Sequence, residues 1–173
     1  MTDEQKALFL TTLHDLAVSQ VGVREVGNND GPEVDEYQKA VDGREGNEAW
    51  CMAFVQWLVK STEEKLGVRL VNFKRTEHCL TLWASAKKRG TAVQHPEPGD
   101  IMIMQHGGTT NGHTGIVIVA NPDNVRTIEG NTGPGGGREG DGVYYKTRPL
   151  FGPKDRLHIV GFVRLSSYDI ETA

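Results

Sequence analysis

The order of hydrophobic periodicities along the chain is the strongest constraint on its fold. Before Pro98, apolar residues recur mainly at helical spacing. After Gly99 they fall into short runs that are rich in β-branched and aromatic residues and separated by turn clusters. Because helices come first and strands second, without βα alternation, the pattern predicts an α+β fold with an antiparallel sheet. Five short strands favour N-terminal helices packed on a small, strongly bent sheet or a partial barrel.

The ends of the predicted helices carry recognisable signals. Thr2 and Gln5 have the spacing of a capping box, and Pro32 stands where a second helix would begin. A third helix starts within the apolar segment AWCMAFVQWLV, residues 49–59, and Gly90 is typical of the C-terminal end of a fourth. The predicted strands cover residues 101–104, 114–120, 125–130, 143–148 and 158–165.

Composition bounds the class of protein. The 173 residues suit a single domain, residues 1–173, with its own hydrophobic core. The formal net charge of −4 argues against nucleic acid as the main partner, because phosphate binding relies on Lys and Arg. The N-terminal MTDEQKALFL lacks the pattern of a signal peptide, and no run approaches about 18 apolar residues. We therefore expect synthesis in the cytoplasm and no membrane insertion.

Cys51 lies near the start of the predicted third helix and has two interpretations. In one it is a small buried hydrophobic residue. In the other it is a nucleophile, because the unpaired N–H groups and the dipole at a helix N-terminus favour a thiolate. From the helix alone, the structural cysteine is the favoured interpretation. Two cysteines are also too few for a disulfide scaffold, so we expect Cys51 and Cys79 to remain unpaired.

A cysteine nucleophile needs a base, and His113 is the best candidate among six histidines. The apolar strand that follows it at once would fix its ring, whereas His106 stands among glycines in the same loop. Glu129 and Asn131 are separated by one residue in the next strand, and hairpin pairing could bring either close to His113. The alternatives are a turn residue facing water for His113, an exposed strand end for Glu129 and a turn residue before Gly133 for Asn131.

The ordered motifs WCxxFVxW, PGD, GHxGxV and EGN together resemble the CHAP amidase/peptidase family, which is related to NlpC/P60 and papain-like cysteine hydrolases. The resemblance covers about residues 20–165. It implies a papain-like fold in which Cys51 is the nucleophile and His113 is the base. In this family pattern, Glu129 and Asn131 orient the histidine. The motifs contain Trp50, Cys51, Phe54, Val55, Trp57, Pro98, Gly99, Asp100, Gly112, His113, Gly115, Val117, Glu129, Gly130 and Asn131.

The resemblance also implies a substrate, bacterial peptidoglycan. The expected enzyme is a cysteine endopeptidase or an N-acetylmuramoyl-L-alanine amidase that forms a thioester. We expect a monomeric phage endolysin or antibacterial effector that reaches the wall after release or delivery. One alternative is an amidase acting on a small glutathione-type or γ-glutamyl conjugate. The other is a catalytically silent wall-binding or tail module.

Several further residues are candidates for contact with the substrate. Trp50 adjoins the thiol, and Tyr37 or Gln38 could supply a second oxyanion donor beside the backbone N–H of Cys51. The glycine-rich segment GNTGPGGGREGDG, residues 130–142, is predicted to form a loop at the rim of the substrate cleft.

Metal sites are weaker hypotheses, so no cofactor is expected. A zinc site built from His106, His113 and a cysteine would lack the paired ligand spacing of known zinc sites. Calcium is possible but disfavoured, because Asp30, Asp35 and Asp42 are not arranged as an EF-hand-type loop.

Overall fold

The computed structural model describes residues 2–135 and 140–173. The predicted rim loop of residues 130–142 therefore lies partly outside the described residues. Over the described ranges the chain forms four α-helices and eight strands. The helices are α1 (Asp3–Ser19), α2 (Pro32–Asp42), α3 (Cys51–Leu66) and α4 (Cys79–Arg89). The strands are β1 (Val68–Leu70), β2 (Ala92–Val93), β3 (Ile101–His106), β4 (Gly112–Ala120), β5 (Asn124–Thr132), β6 (Gly142–Pro149), β7 (Leu157–Val163) and β8 (Ile170–Thr172).

The helix ends follow the sequence signals. Thr2 Oγ1 accepts the N–H of Gln5 at 3.2 Å, and Gln5 Oε1 accepts the N–H of Thr2 at 2.8 Å, which confirms the capping box. Gly43 and Gly90 end α2 and α4 with φ angles of 83° and 73°, a conformation that costs glycine little. Within the described ranges, none of these helices combines the length and apolar character needed to cross a membrane.

Six of the strands in the described ranges form one antiparallel sheet, in the order β2-β7-β3-β4-β5-β6. The five predicted strands are the five long members of this sheet, and the α+β class with an antiparallel sheet is confirmed. The strands that sequence analysis missed, β1, β2 and β8, contain two or three residues each. Periodicity cannot show in so short a stretch. The strong bending of the sheet stays a prediction.

Helix α3 forms the centre of the core. It contacts α1 and α2 as well as β4 and β5. The stripe predicted from the sequence, Phe54, Val55, Leu58 and Val59, is fully buried. Burying side chains of this kind stabilises the fold by roughly 1.5–3 kcal/mol each. As a result, the N-terminus of α3 is held rigidly against the two strands that carry the candidate base and its partner.

Candidate active site

Cys51 is the first residue of α3, and its side chain is only 6% exposed. Its pKa lies well below the usual value for a thiol, and a hydrogen bond from Cys79 is the largest cause. Burial opposes this shift, while His113 and the backbone N–H of Met52 add to it. Both the helix N-terminus and the neighbouring groups therefore favour a thiolate at Cys51, and Cys51 differs from an inert buried cysteine.

His113 and Glu129 form a fully buried pair on the neighbouring strands β4 and β5. The distance from His113 Nε2 to Glu129 Oε2 is 2.7 Å. The other ring nitrogen, Nδ1, is buried and makes no hydrogen bond of ordinary length among the described residues. The sulfur of Cys51 nevertheless lies near enough to the ring to interact with it. Glu129 is thus hydrogen-bonded to Nε2 of His113, and Nδ1 is the ring nitrogen that can exchange a proton with the thiol.

The electrostatics favour an ionised site. Burial is the largest influence on His113 and lowers its pKa, but Cys51 and Glu129 together outweigh it and raise the pKa to about 9. Burial likewise disfavours the Glu129 carboxylate, but Arg148 and His113 lower its pKa to about 2. At neutral pH, the expected state is a Cys51 thiolate beside a His113 imidazolium that donates to a Glu129 carboxylate.

Arg148 on β6 completes this arrangement, although sequence analysis did not identify it. Its Nε donates to Glu129 Oε1 at 2.9 Å and its Nη2 donates to Oε2 at 2.5 Å. Thr127 Oγ1 donates to Oε1 at 2.6 Å, so both carboxylate oxygens have two donors once His113 is counted. The arginine was overlooked because a basic residue near a strand end ordinarily faces solvent. Chemistry offered one signal for it: if Glu129 is buried as a carboxylate, it needs a cation nearby.

We expect Arg148→Met to lower the free energy of unfolding by about 3–5 kcal/mol, because it leaves part of a buried ion pair without its partner. Urea denaturation followed by circular dichroism would measure the change. The matched control is Arg126→Met, since Arg126 is an exposed arginine on the adjacent strand β5 and its loss should change stability by less than about 0.5 kcal/mol. Equal effects for the two variants would contradict the importance assigned to the Arg148–Glu129 pair.

Asn131 was one of two candidates for orienting the His113 ring, but the hydrogen bonds of its side chain go to other residues. It adopts a left-handed conformation with φ of 52°, and the register of β5 shifts between Glu129 and Thr132. This break ends the simple alternation on which the prediction relied. With its amide oriented to satisfy both atoms, Nδ2 donates to the carbonyl of Gly140 at 3.0 Å and Oδ1 accepts the N–H of Trp50 at 3.2 Å. Asn131 therefore supports the residue that precedes Cys51.

Trp50 and Tyr37 are core residues, which corrects the expectation that they contact the substrate. Trp50 is 0% exposed, and its indole Nε1 donates to Glu25 Oε1 at 2.7 Å. Tyr37 is 1% exposed, and its hydroxyl donates to Gln20 Oε1 at 2.7 Å. The two rings pack together with a centroid distance of 5.6 Å. Their size and polar tips are thus used to anchor helices, not to bind a ligand.

The side-chain amide of Gln38 is also hydrogen-bonded within the protein, so it does not point to the site as a free oxyanion donor. Its Nε2 donates to the carbonyl of Glu48 at 3.1 Å and to that of Asn29 at 3.4 Å, and its Oε1 accepts the N–H of Gly46 at 2.8 Å. These bonds fix the connector that leads into α3. Gln38 acts on the position of Cys51 through this connector, which the sequence pattern alone did not show.

Two glycines of the motifs GHxG and EGN have steric roles at the site. A Cβ atom on Gly115 would lie 2.5 Å from Cγ of Glu129, so only glycine leaves room for the carboxylate that reaches His113. A Cβ atom on Gly130 would lie 2.7 Å from the Trp50 ring and 2.8 Å from Phe54 Cβ. Gly130 therefore permits close packing between β5 and the start of α3.

The cleft that reaches Cys51 has an acidic entrance. Its volume is about 160 Å³, and its lining includes Glu48, Glu77 and His78 together with Cys79. Burial, reinforced by the carboxylates of Asp42 and Glu48, raises the pKa of Glu77, so negative groups are crowded along this edge. Within this cleft, Glu48 and Glu77 therefore lie along the same lining as the Cys51 thiol.

The described part of the chain contains no cluster of three or more His, Cys, Asp or Glu side chains that could hold a metal ion. Of the proposed zinc ligands, His106 is exposed whereas His113 is buried and bonded to Glu129. The two histidines therefore differ in environment, and only His113 belongs to the network around Cys51.

Comparison with known proteins agrees with the geometry. The sequence model of the CHAP domain family matches residues 43–131, which is more than half of the 173-residue chain. No curated protein matches the chain. The matched segment contains Cys51, His113 and Glu129 and ends at Asn131, while Arg148 lies beyond it. The chain therefore belongs to the CHAP domain family of cysteine- and histidine-dependent amidohydrolases and peptidases.

Proposed function

We propose that this protein hydrolyses an amide bond of bacterial peptidoglycan through a thioester on Cys51. The observation that carries this proposal is the bond of 2.7 Å between His113 Nε2 and Glu129, which leaves Nδ1 for the thiol. Membership of the CHAP family makes an amidase or peptidase activity the expectation and peptidoglycan the typical substrate. The intact network also argues against a catalytically silent binding module.

In the first half of the proposed reaction, the Cys51 thiolate attacks the amide carbonyl carbon. The carbon–nitrogen bond breaks as His113 gives its Nδ1 proton to the leaving amine. The negative charge that develops on the carbonyl oxygen needs a donor, and the backbone N–H of Cys51 is suited to this task. It belongs to the first turn of α3, where amides have no acceptor within the helix. The product of this half is an acyl thioester and a free amine.

In the second half, neutral His113 removes a proton from a water molecule, and the resulting hydroxide attacks the thioester. The carbon–sulfur bond breaks, so the acid product leaves and the thiolate–imidazolium pair is restored. Glu129 remains ionised throughout and keeps the ring oriented through Nε2. Arg148 holds the carboxylate in place with two hydrogen bonds.

The proposal is tested on purified bacterial cell walls with the wild-type protein and Cys51→Ala. We expect the wild type to release soluble fragments and Cys51→Ala to lose at least about a thousandfold in rate, because the covalent step has no substitute. Mass spectrometry of the fragments would identify the cut bond from the new amine and carboxyl termini. Circular dichroism of both proteins controls for folding.

The outcomes separate the alternatives. Equal activity of wild type and Cys51→Ala would refute the thioester mechanism. If the wild type leaves the walls intact but hydrolyses a γ-glutamyl conjugate, the smaller substrate is favoured. If the wild type is inactive on both substrates, a binding module is favoured. Delivery to the wall, as an endolysin or a secreted effector, stays a prediction, as do the monomeric state and the single domain of residues 1–173.

A further inference from the structure

The second cysteine of the chain lies beside the first, although 28 positions separate them. Cys79 is the first residue of α4, as Cys51 is of α3, and their sulfur atoms are 4.0 Å apart. Neither forms a disulfide, and each is 6% exposed. Both line the same cleft. The hydrogen bond from Cys79 favours the Cys51 thiolate, but no bond-making or bond-breaking step of the mechanism above involves the Cys79 sulfur.

Packing of α4 against β4 fixes this proximity. A Cβ atom on Gly112 would lie 2.7 Å from Cβ of Cys79, so the lack of a side chain at Gly112 lets the start of α4 approach the strand. The same contact lies one residue before His113 in β4, and the Cys79 sulfur lies 4.0 Å from that of the nucleophile. The arrangement is built on the first residues of two helices and of a strand, and not on a surface loop.

The two sulfur atoms are chemically unequal. Each thiol affects the other: a hydrogen bond from Cys79 lowers the pKa of Cys51, while the same bond, burial and the Cys51 charge raise the pKa of Cys79. These opposite directions favour Cys51 as the thiolate and Cys79 as the protonated donor. A low-pKa thiolate with a second thiol in reach is the arrangement found at cysteines that sense oxidants.

We propose that Cys79 is a resolving cysteine, which captures an oxidised Cys51 as a reversible disulfide and so protects the site from permanent damage by hydroperoxides. This proposal rests on the reactive Cys51 thiolate of the proposed function, but it concerns a different reaction. A disulfide would block both halves of amide hydrolysis, because the nucleophilic sulfur would be engaged. The protein would then be inactive under oxidising conditions and active again after reduction.

The reaction balances in two steps. The Cys51 thiolate attacks one peroxide oxygen, a sulfur–oxygen bond forms, the oxygen–oxygen bond breaks, and hydroxide leaves and takes up a proton to become water. Cys51, now a sulfenic acid, has been oxidised by two electrons, and the peroxide has been reduced. The sulfur of Cys79 then attacks the Cys51 sulfur. The sulfur–sulfur bond forms, the sulfur–oxygen bond breaks, and a second water carries away the Cys79 proton.

The geometry suits the second step. The sulfur atoms must approach from 4.0 Å to about 2.05 Å, and we assign this movement to rotation of the two short side chains. The negative charge that suppressed ionisation of Cys79 is gone once Cys51 is a sulfenic acid. Hydrogen peroxide is little larger than water, and a cleft of about 160 Å³ admits it.

The test uses the full chain treated with hydrogen peroxide and analysed by intact mass and peptide mapping. For the wild type we expect a loss of two hydrogens, assigned to a Cys51–Cys79 disulfide and reversed by dithiothreitol. For Cys79→Ser we expect a gain of two oxygens on Cys51, which dithiothreitol does not reverse. Cys51→Ser should show neither change at the same peroxide dose. Cys79→Ala serves as a second variant if the serine variant does not fold.

Recovery of wall hydrolysis after dithiothreitol, measured as a fraction of each protein's own rate before peroxide, provides the functional readout. It is expected to be nearly complete for the wild type and about tenfold lower for Cys79→Ser. The proposal is overturned if wild-type Cys51 passes to the sulfinic acid as fast as in Cys79→Ser, if it resists peroxide altogether, or if the disulfides link separate chains. Mass analysis needs no substrate. A failure of peptidoglycan hydrolysis therefore remains distinguishable from a failure of this inference.

Discussion

Replacement of His113 by Ala is expected to reduce wall hydrolysis by at least about a thousandfold, since both proton transfers of the proposed reaction pass through its Nδ1 atom. The variant should fold, because the Arg148 side chain still compensates the buried Glu129 carboxylate. It should also lose the imidazolium that favours the thiolate. We therefore expect the rate of Cys51 alkylation by iodoacetamide at pH 6 to fall, with the inflection of its pH profile moving to higher pH.

The matched control is His106→Ala, because His106 lies on the adjacent strand β3 and is exposed. This variant should keep most of the activity and the wild-type alkylation profile. The reverse result, with His106 essential and His113 dispensable, would show that the base has been misassigned. If the His113→Ala protein is inactive but its Cys51 still alkylates fast at pH 6, His113 is needed for proton transfer but not for activation of the thiol.

Replacement of Gly115 by Ala is expected to damage the site through Glu129. Ile116 pairs with Ile128, so Gly115 faces Glu129 across the hairpin. The added methyl group would lie 2.5 Å from Cγ of Glu129 and 2.8 Å from the carbonyl oxygen of Ile128. Such contacts force the chain apart, at a cost of about 1–3 kcal/mol in stability. We also expect at least a hundredfold loss of activity, because His113 loses its fixed orientation.

Gly108→Ala provides the comparison for this experiment. Gly108 precedes the same strand, and a Cβ atom there would meet no atom within 4 Å. Its substitution should leave both activity and melting temperature close to wild type. If Gly115→Ala melts at a lower temperature but keeps full activity, the strand tolerates the change and Glu129 does not need its observed position. Equal behaviour of the two alanine variants would remove the steric explanation for the motif glycine.

Local signals made most of the fold predictable. Helix caps such as Thr2 and Gly90 involve residues a few positions apart, and the long strands are marked by runs of β-branched and aromatic residues between turn clusters. Strands β1 and β8 pair with each other across about a hundred residues, and neither carries a pattern of its own. The tertiary structure imposes such pairings, so a single sequence gives no sign of them.

The site was predictable where motifs are ordered along the chain and unpredictable where it depends on lateral packing. Cys51, His113 and Glu129 lie in motifs, and the structure brings them together, although their catalytic roles stay predictions. The sequence could not show whether Glu129 or Asn131 orients His113, because the left-handed conformation of Asn131 depends on the neighbouring strands. The contributions of Arg148 and Cys79 arise from contacts between distant segments, which neither spacing nor composition reveals.

The interaction of Arg148 with Glu129 has a consequence for the response of the enzyme to ionic strength. Thiolate, imidazolium, carboxylate and guanidinium alternate in sign through the site, so the ionised resting state carries no net charge. Mobile ions screen exposed charges far more than buried neighbouring pairs. Added salt should therefore leave the chemical step nearly unchanged and act on the encounter between the acidic entrance of the cleft and the wall. The salt dependence of the overall rate would then measure the electrostatic contribution to substrate binding and not to the chemical step.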